Sequence, residues 1–182
     1  GNLQGEGAFA ARGTAALTAA DLYSIPIEDM KPFTETEAQG LTKTFSEGDV
    51  QTKLSVIANI NELDSAAPGL AAAAFKQIGQ KDTVFSQAGA IANERGDTVT
   101  AETIVRGQDR LTKDKTLGDT LFKNSDALNT FNEATGGALQ AVPPETRAAI
   151  FEAAKAHYAE TASQKGVLEF NADAFKQSVA KV

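Results

Sequence analysis

The segment from Ser46 to Leu63 has the widest apolar face of any stretch along this chain. At helical pitch its apolar residues fall into two neighbouring rows, which are Val50, Leu54 and Ile57, and then Val56, Ile60 and Leu63. Together the rows cover roughly half of the helix circumference, whereas a helix lying on one side of a core shows a stripe about 100° wide. We therefore expect a central helix over 46–63 that begins at Ser46 and has neighbours on two sides.

Apolar residues recur at helical spacing through most of the chain after residue 34, and no stretch alternates like a strand with turn signals at both ends. Residues 112–120 are polar and are predicted to form a loop. The pattern predicts an all-α fold, in which seven or eight short to medium helices form a compact bundle around the helix at 46–63. Residues 34–182 are expected to form a single domain.

Several helix boundaries carry specific local signals. Thr34 followed by Glu37 is the pattern of a capping box. Asn171 is predicted to cap the last helix, where Phe170 and Phe175 have the spacing of a hydrophobic staple. The longest helix is expected over 144–164. Its start is placed at Pro144, because proline is favoured in a first helical turn.

Residues 1–33 are rich in Gly, Ala and Thr and show no sustained period, which is typical of an extended or partly ordered arm. One short helix is expected over 15–22. The apolar anchors that such an arm offers to a neighbour are Leu22, Tyr23, Ile25, Ile27 and Phe33. Because residue 1 is Gly and the only methionine is Met30, we expect the chain to be either a trimmed protein or a fragment of a longer polypeptide.

Composition excludes several classes of function. The 182 residues include no cysteine, so disulfides, thiolate metal sites and cysteine nucleophiles are excluded. No apolar run approaches the length of a membrane-spanning helix, and we expect no span. The net charge is −7, and residues 1–105 hold the whole acidic surplus. An acidic chain repels phosphate backbones, so no nucleic-acid partner is expected.

His157 is the only histidine, and neither an HExxH pattern nor a second imidazole accompanies it. A zinc site needs several such ligands at fixed spacing, so no metal and no cofactor are expected. His157 lies seven residues after Ile150 on the packed side of the predicted helix. We interpret it as a partly buried structural residue.

Acidic and basic side chains give no catalytic or anion-binding constellation. Glu145, Glu152 and Glu160 are expected to follow an exposed stripe of the long helix, although paired carboxylates can cleave glycosides. The basic side chains between Arg106 and Lys115 are expected to be largely neutralised by acidic residues of the same helix. Glu102, Arg106 and Arg110 follow the spacing i, i+4, i+8, and Asp109 lies four residues before Lys113. The GEGAFA sequence at 5–10 follows no strand, so a dinucleotide site is not indicated.

Two segments, TAETIVRGQDRLTKDK at 100–115 and RAAIFEAAKAHYAETASQKG at 147–166, together with the closing FNADAFKQSV, resemble helical regions of large bacteriophage virion proteins. Those proteins are tail-associated or internal, ejected chains that are often encoded beside a lysozyme-like transglycosylase module. The resemblance covers about residues 35–182 and implies a virion structural context. It transfers no catalytic residue, because the Glu-Ser signature of transglycosylases has no counterpart here.

These observations predict a non-enzymatic structural or protein-interaction domain of a phage or prophage virion-associated protein. Its expected partners are other virion proteins or further copies of itself, in the virion or in the host cytoplasm during assembly. No catalytic, cofactor-binding or metal-binding residue is assigned. Two alternatives stay open: a peptidoglycan-cleaving, lysozyme-like enzyme domain, and a secreted bacterial effector or adhesin domain.

Overall fold

The structure is a computed structural model that describes residues 7–167 and 169–182. Its described residues form ten α-helices and two short 3₁₀ turns and contain no strand, so the all-α prediction is confirmed, with more helices than expected. The chain divides into two compact units, Gly1–Lys81 and Asp82–Val182, and this division does not coincide with the boundary expected at residue 33. We call them the N-terminal unit and the C-terminal unit.

The N-terminal unit contains four of the helices. Their bounds are α1 Ala8–Tyr23, α2 Glu35–Glu47, α3 Val50–Asn61 and α4 Leu70–Gln77, with 3₁₀ turns at Ile27–Asp29 and Glu62–Ser65. The C-terminal unit contains α5 Val84–Glu94, α6 Thr98–Lys113, α7 Lys115–Phe122, α8 Ala127–Thr135, α9 Pro144–Gln164 and α10 Ala172–Lys181.

Helix α3 buries much of the face that the sequence predicts, since Val56, Ile57 and Ile60 are in the core, and Leu63 is buried in the 3₁₀ turn that follows the helix. Its predicted start at Ser46 is wrong, because that residue still belongs to α2. Gly48 and Asp49 are extended and separate the two helices. The Asp49 side chain then accepts a hydrogen bond from the backbone N–H of Thr52 at 2.8 Å and caps α3.

Residues 8–23 form a helix within the N-terminal unit, longer than the one expected over 15–22. Phe9 is buried and packs edge to face on Phe33, with ring centroids 5.8 Å apart. Arg12 pairs with Glu37 at 2.7 Å. The apolar periodicity of residues 8–23 is weak, because α1 has small and apolar residues on nearly every side. Residues 1–6 of the expected arm lie outside the described residues.

The C-terminal unit has an aromatic core of its own, in which Tyr158, Phe131 and Phe175 are fully buried. The predicted helix at 144–164 is confirmed. The predicted staple is confirmed as well, because the rings of Phe170 and Phe175 lie 5.3 Å apart and Asn171 caps α10. Helix α3 belongs to the core of the N-terminal unit.

The loop predicted at 112–120 is wrong, because α7 occupies most of it. Asp114 starts this helix by accepting a hydrogen bond from the backbone N–H of Leu117 at 3.1 Å. Leu121 is the only residue of α7 that is fully buried. A helix of two turns with one core residue shows too little apolar periodicity to be recognised from sequence.

Candidate functional site

His157 joins two helices of the C-terminal unit. Its Nδ1 lies 2.9 Å from the hydroxyl of Ser178, which is buried on α10. Burial of the imidazole, together with the Lys181 charge, lowers the pKa of His157 below 6.5, and the Asp97 carboxylate opposes this only in part. This shift favours the neutral ring, and the contact with Ser178 links α9 to α10, in keeping with a structural role.

The three acids of α9 do not share one exposed stripe, and the prediction is wrong for Glu160. Glu145 and Glu152 are exposed, but Glu160 is only 3% exposed. Seven residues bring a helical position back to within about 20° of its start, whereas eight residues displace it by about 80°. That rotation turns Glu160 toward α6, where it forms an ion pair with Arg110.

Both carboxylate oxygens of Glu160 have donors. Arg110 Nε binds Oε2, and Gln164 Nε2 donates to Oε1 at 2.8 Å. The predicted pairs Glu102 with Arg106 and Asp109 with Lys113 are present at 2.6 and 2.8 Å. Arg110 does not complete the first set, because it turns to Glu160. Three cations between residues 106 and 115 thus have acidic partners, so this stretch offers little free positive charge to a phosphate.

Residues 7–167 and 169–182 contain no cluster of three or more His, Asp or Glu side chains able to hold a metal ion. They also contain no helix with the length and apolar character needed to cross a membrane.

A groove of about 580 Å³ lies on the N-terminal unit, with buried Met30 and Phe33 among its lining residues. The Gln77 amide donates to the backbone oxygen of Phe33 at 2.6 Å and accepts from its N–H at 3.0 Å. On the rim, Lys76 Nζ lies 3.5 Å from an Asp29 carboxylate oxygen. The Gln77 amide is therefore satisfied within the protein, and the exposed charged residues Glu28 and Lys31 also line the groove.

The most distinctive surface feature is an exposed apolar cluster at the C-terminal end of α1, which we call the α1 patch. It consists of Leu22, Tyr23 and Ile25, whose side chains are 71%, 69% and 39% exposed. Ser24 ends α1 in the left-handed conformation with φ of 53°. The N–H of Ile25 then binds the Ala20 oxygen at 2.9 Å, so a hydrogen-bonded cap fixes the chain direction here.

The patch contains three of the five anchors proposed for an arm. The other two differ, because Phe33 is buried and Ile27 is partly buried. Elsewhere in the described residues the large exposed apolar side chains are the isolated Val99 and Leu128, at 74% and 57%. Isolated apolar side chains are normal on a soluble surface, whereas grouped ones are typical of interaction sites.

Comparison of the chain with protein-family models, with curated proteins and with solved structures gave no match. The geometry of its own residues, and above all the α1 patch, therefore carries the functional argument.

Proposed function

We propose that this chain is a non-enzymatic structural and protein-interaction domain of a phage or prophage virion-associated protein. It acts by contacts between helix faces, with other virion proteins or with copies of itself, in the virion or in the host cytoplasm during assembly. The observation that carries the proposal is the α1 patch. The class of assembly comes from the sequence resemblance to virion proteins.

The energetic argument concerns the large side chains of the patch. Fully burying a large apolar side chain is worth about 1.5–3 kcal/mol. Leu22 and Tyr23 gain little of this in the isolated chain, because each is more than two-thirds exposed. A partner that covers the patch would recover part of that free energy. Such a surface therefore supports a role in association.

The geometry gives less support to the peptidoglycan-cleaving alternative. That reaction needs two carboxyl groups facing each other across a bound sugar, about 5–9.5 Å apart. Glu160 is held by Arg110 and Gln164, while Glu145 and Glu152 lie two turns apart on the outer surface of one helix. Neither exposed acid has an opposing carboxylate on that helix surface to complete the pair.

Lysine-directed cross-linking of intact particles, made by a phage or prophage whose genome encodes this chain, tests the proposal. Lys31, Lys43 and Lys76 are exposed on the N-terminal unit and provide attachment points. We expect cross-links from these lysines to other particle proteins or to a second copy. A chain that is missing both from purified particles and from assembly intermediates in the producing cells would contradict the proposal.

A cell-wall zymogram of the full chain tests the enzyme alternative directly. Clearing that is lost in the Glu145→Gln or Glu152→Gln variant would replace our proposal with the muralytic one. Glu160→Gln is the third variant of this comparison, and it differs from the other two because the carboxylate of Glu160 is buried and ion-paired. We expect no clearing from the wild-type chain.

A further inference from the structure

We propose that the α1 patch binds an amphipathic helix with a basic polar face, carried by a different protein. This inference rests on the proposed function and adds to it the surface and the chemistry of the partner. Two independent features carry it: the two-sided apolar character of α1, and the charge of the chain beside the patch.

Helix α1 has apolar faces on opposite sides. Its buried side consists of Phe9, Gly13, Ala16 and Ala20. The exposed positions Ala11, Ala15, Thr18 and Leu22 follow the spacing i, i+4, i+7, i+11 and so form a second row, about 180° away around the helix. This second row carries no charge.

The exposed row is suited to another helix. Alanine at two of its positions lets a second backbone approach closely, while Leu22 supplies bulk at one end. The hydroxyl of Thr18 already donates to the Thr14 backbone oxygen at 2.9 Å, so it needs no polar partner. A helix that is apolar on two sides buries both only when it has neighbours on two sides. In α1, Leu22 of the patch lies at the end of the exposed row, Tyr23 follows it by one residue, and Ile25 lies just beyond the helix.

Charge determines which helix fits. Residues 21–29 contain Asp21, Glu28 and Asp29 and no lysine or arginine. Lys76 Nζ lies 3.5 Å from both an Asp29 carboxylate oxygen and the Glu28 backbone oxygen, whereas within the described residues the carboxylates of Asp21 and Glu28 form no ion pair. A two-fold interface uses the same surface of both copies. A symmetric dimer through this patch would therefore bring the acidic stretch of one copy to the interface that holds the acidic stretch of the other. A helix that flanks its apolar face with Lys or Arg instead matches the surface.

Two labelled synthetic peptides of about 18 residues, or five helical turns, test the inference by fluorescence anisotropy. They share one leucine face and differ only in polar residues, which are all Lys in one peptide and all Glu in the other. We expect the full chain to bind the Lys peptide at least about tenfold more tightly, and this preference should shrink as salt increases.

Two sets of substitutions locate the binding surface. The combined variant Leu22→Ser, Tyr23→Ser, Ile25→Ser should weaken binding of the Lys peptide by about tenfold or more. The matched control Val99→Ser, Leu128→Ser removes equally exposed apolar side chains of the C-terminal unit and should leave binding unchanged. The variant Asp21→Lys, Glu28→Lys should reduce the preference for the Lys peptide. Circular dichroism confirms that each variant is folded.

Equal binding of the two peptides, binding of neither, or binding that survives the triple serine variant would overturn the inference. Self-association of the chain that the triple variant abolishes, measured by sedimentation equilibrium, would overturn it too, because the occupant would then be a second copy. That last result would leave the proposed function intact. The proposed function fails separately, when the chain is missing both from purified particles and from assembly intermediates.

Discussion

Gly107 is where the structure makes its sharpest prediction. A Cβ atom built at this position of α6 would lie 1.8 Å from the backbone oxygen of Ala156 on α9 and 2.5 Å from its carbonyl carbon. Real Cβ contacts are essentially never shorter than 3.0 Å, so the helices would have to separate locally by more than 1 Å. Both obstructing atoms belong to the backbone, so no change of side-chain rotamer can relieve the overlap.

The magnitude follows from two opposing effects in the Gly107→Ala variant. Overpacking a core typically costs about 1–3 kcal/mol, and an obstacle made of backbone places this site at the upper end or beyond. Alanine is better than glycine in a helix interior by about 1 kcal/mol. Ile104, Val105 and Ala153 are fully buried beside the contact and leave no slack for relaxation. We expect a net loss of about 2 kcal/mol or more from the free energy of unfolding.

The chain contains a matched control at Gly40. This glycine is exposed in α2, and no atom lies within 4 Å of a Cβ built there. The Gly40→Ala variant therefore makes the same chemical change without the overlap, and it should gain about 0.5–1 kcal/mol. Gly13→Ala lies between the two, because its Cβ would meet the Leu63 oxygen at 2.9 Å and Ala66 Cβ at 3.1 Å.

Urea unfolding followed by circular dichroism measures these differences in both units, and tyrosine fluorescence isolates the C-terminal unit, which contains Gly107. The chain has two tyrosines and no tryptophan. In a Tyr23→Phe background, the buried Tyr158 is the single reporter, and it lies on α9 itself, in the core of the C-terminal unit. Gly107→Ala should lower the midpoint of its transition. A Gly107→Ala variant as stable as the wild type would refute the close approach of α6 and α9.

Three further predictions concern polar groups of the C-terminal unit. Glu160→Gln keeps the side-chain volume but removes the charge facing Arg110. Because that arginine is half exposed, we expect the free energy of unfolding in urea to fall by only about 1 kcal/mol. An unchanged free energy of unfolding would argue against the ion pair. Burial and a nearby cation lower the pKa of folded His157, so the unfolded chain takes up the proton first, and stability should fall as pH decreases below 6.5. His157→Gln should flatten that dependence between pH 7 and 5, and an unchanged slope would exclude the histidine as its source. Tyr158→Phe removes the hydroxyl that donates to the Glu169 backbone oxygen and accepts from the Asn171 N–H. We expect the free energy of unfolding, followed by circular dichroism, to fall by about 1–2 kcal/mol. An unchanged free energy of unfolding would contradict these hydrogen bonds.

The features that the sequence predicts correctly are local. The capping box at Thr34, the staple around Asn171 and the pair Glu102 with Arg106 each join residues no more than five apart. Helical pitch alone brings such residues together, so their spacing is sufficient to predict the contact. The helical class follows for the same reason, because apolar residues at a period near 3.6 need no knowledge of the partner that covers them.

Tertiary structure determined the contacts between distant parts of the chain. Glu160 meets Arg110 across fifty residues, and only the rotation of α9 against α6 turns it inward. The sequence of α1 also does not reveal which of its faces is buried. A helix with small apolar residues on both sides has no single apolar stripe that would identify the buried side. Sequence fixes what a helix can present, whereas packing selects the side that is covered and so leaves the α1 patch exposed.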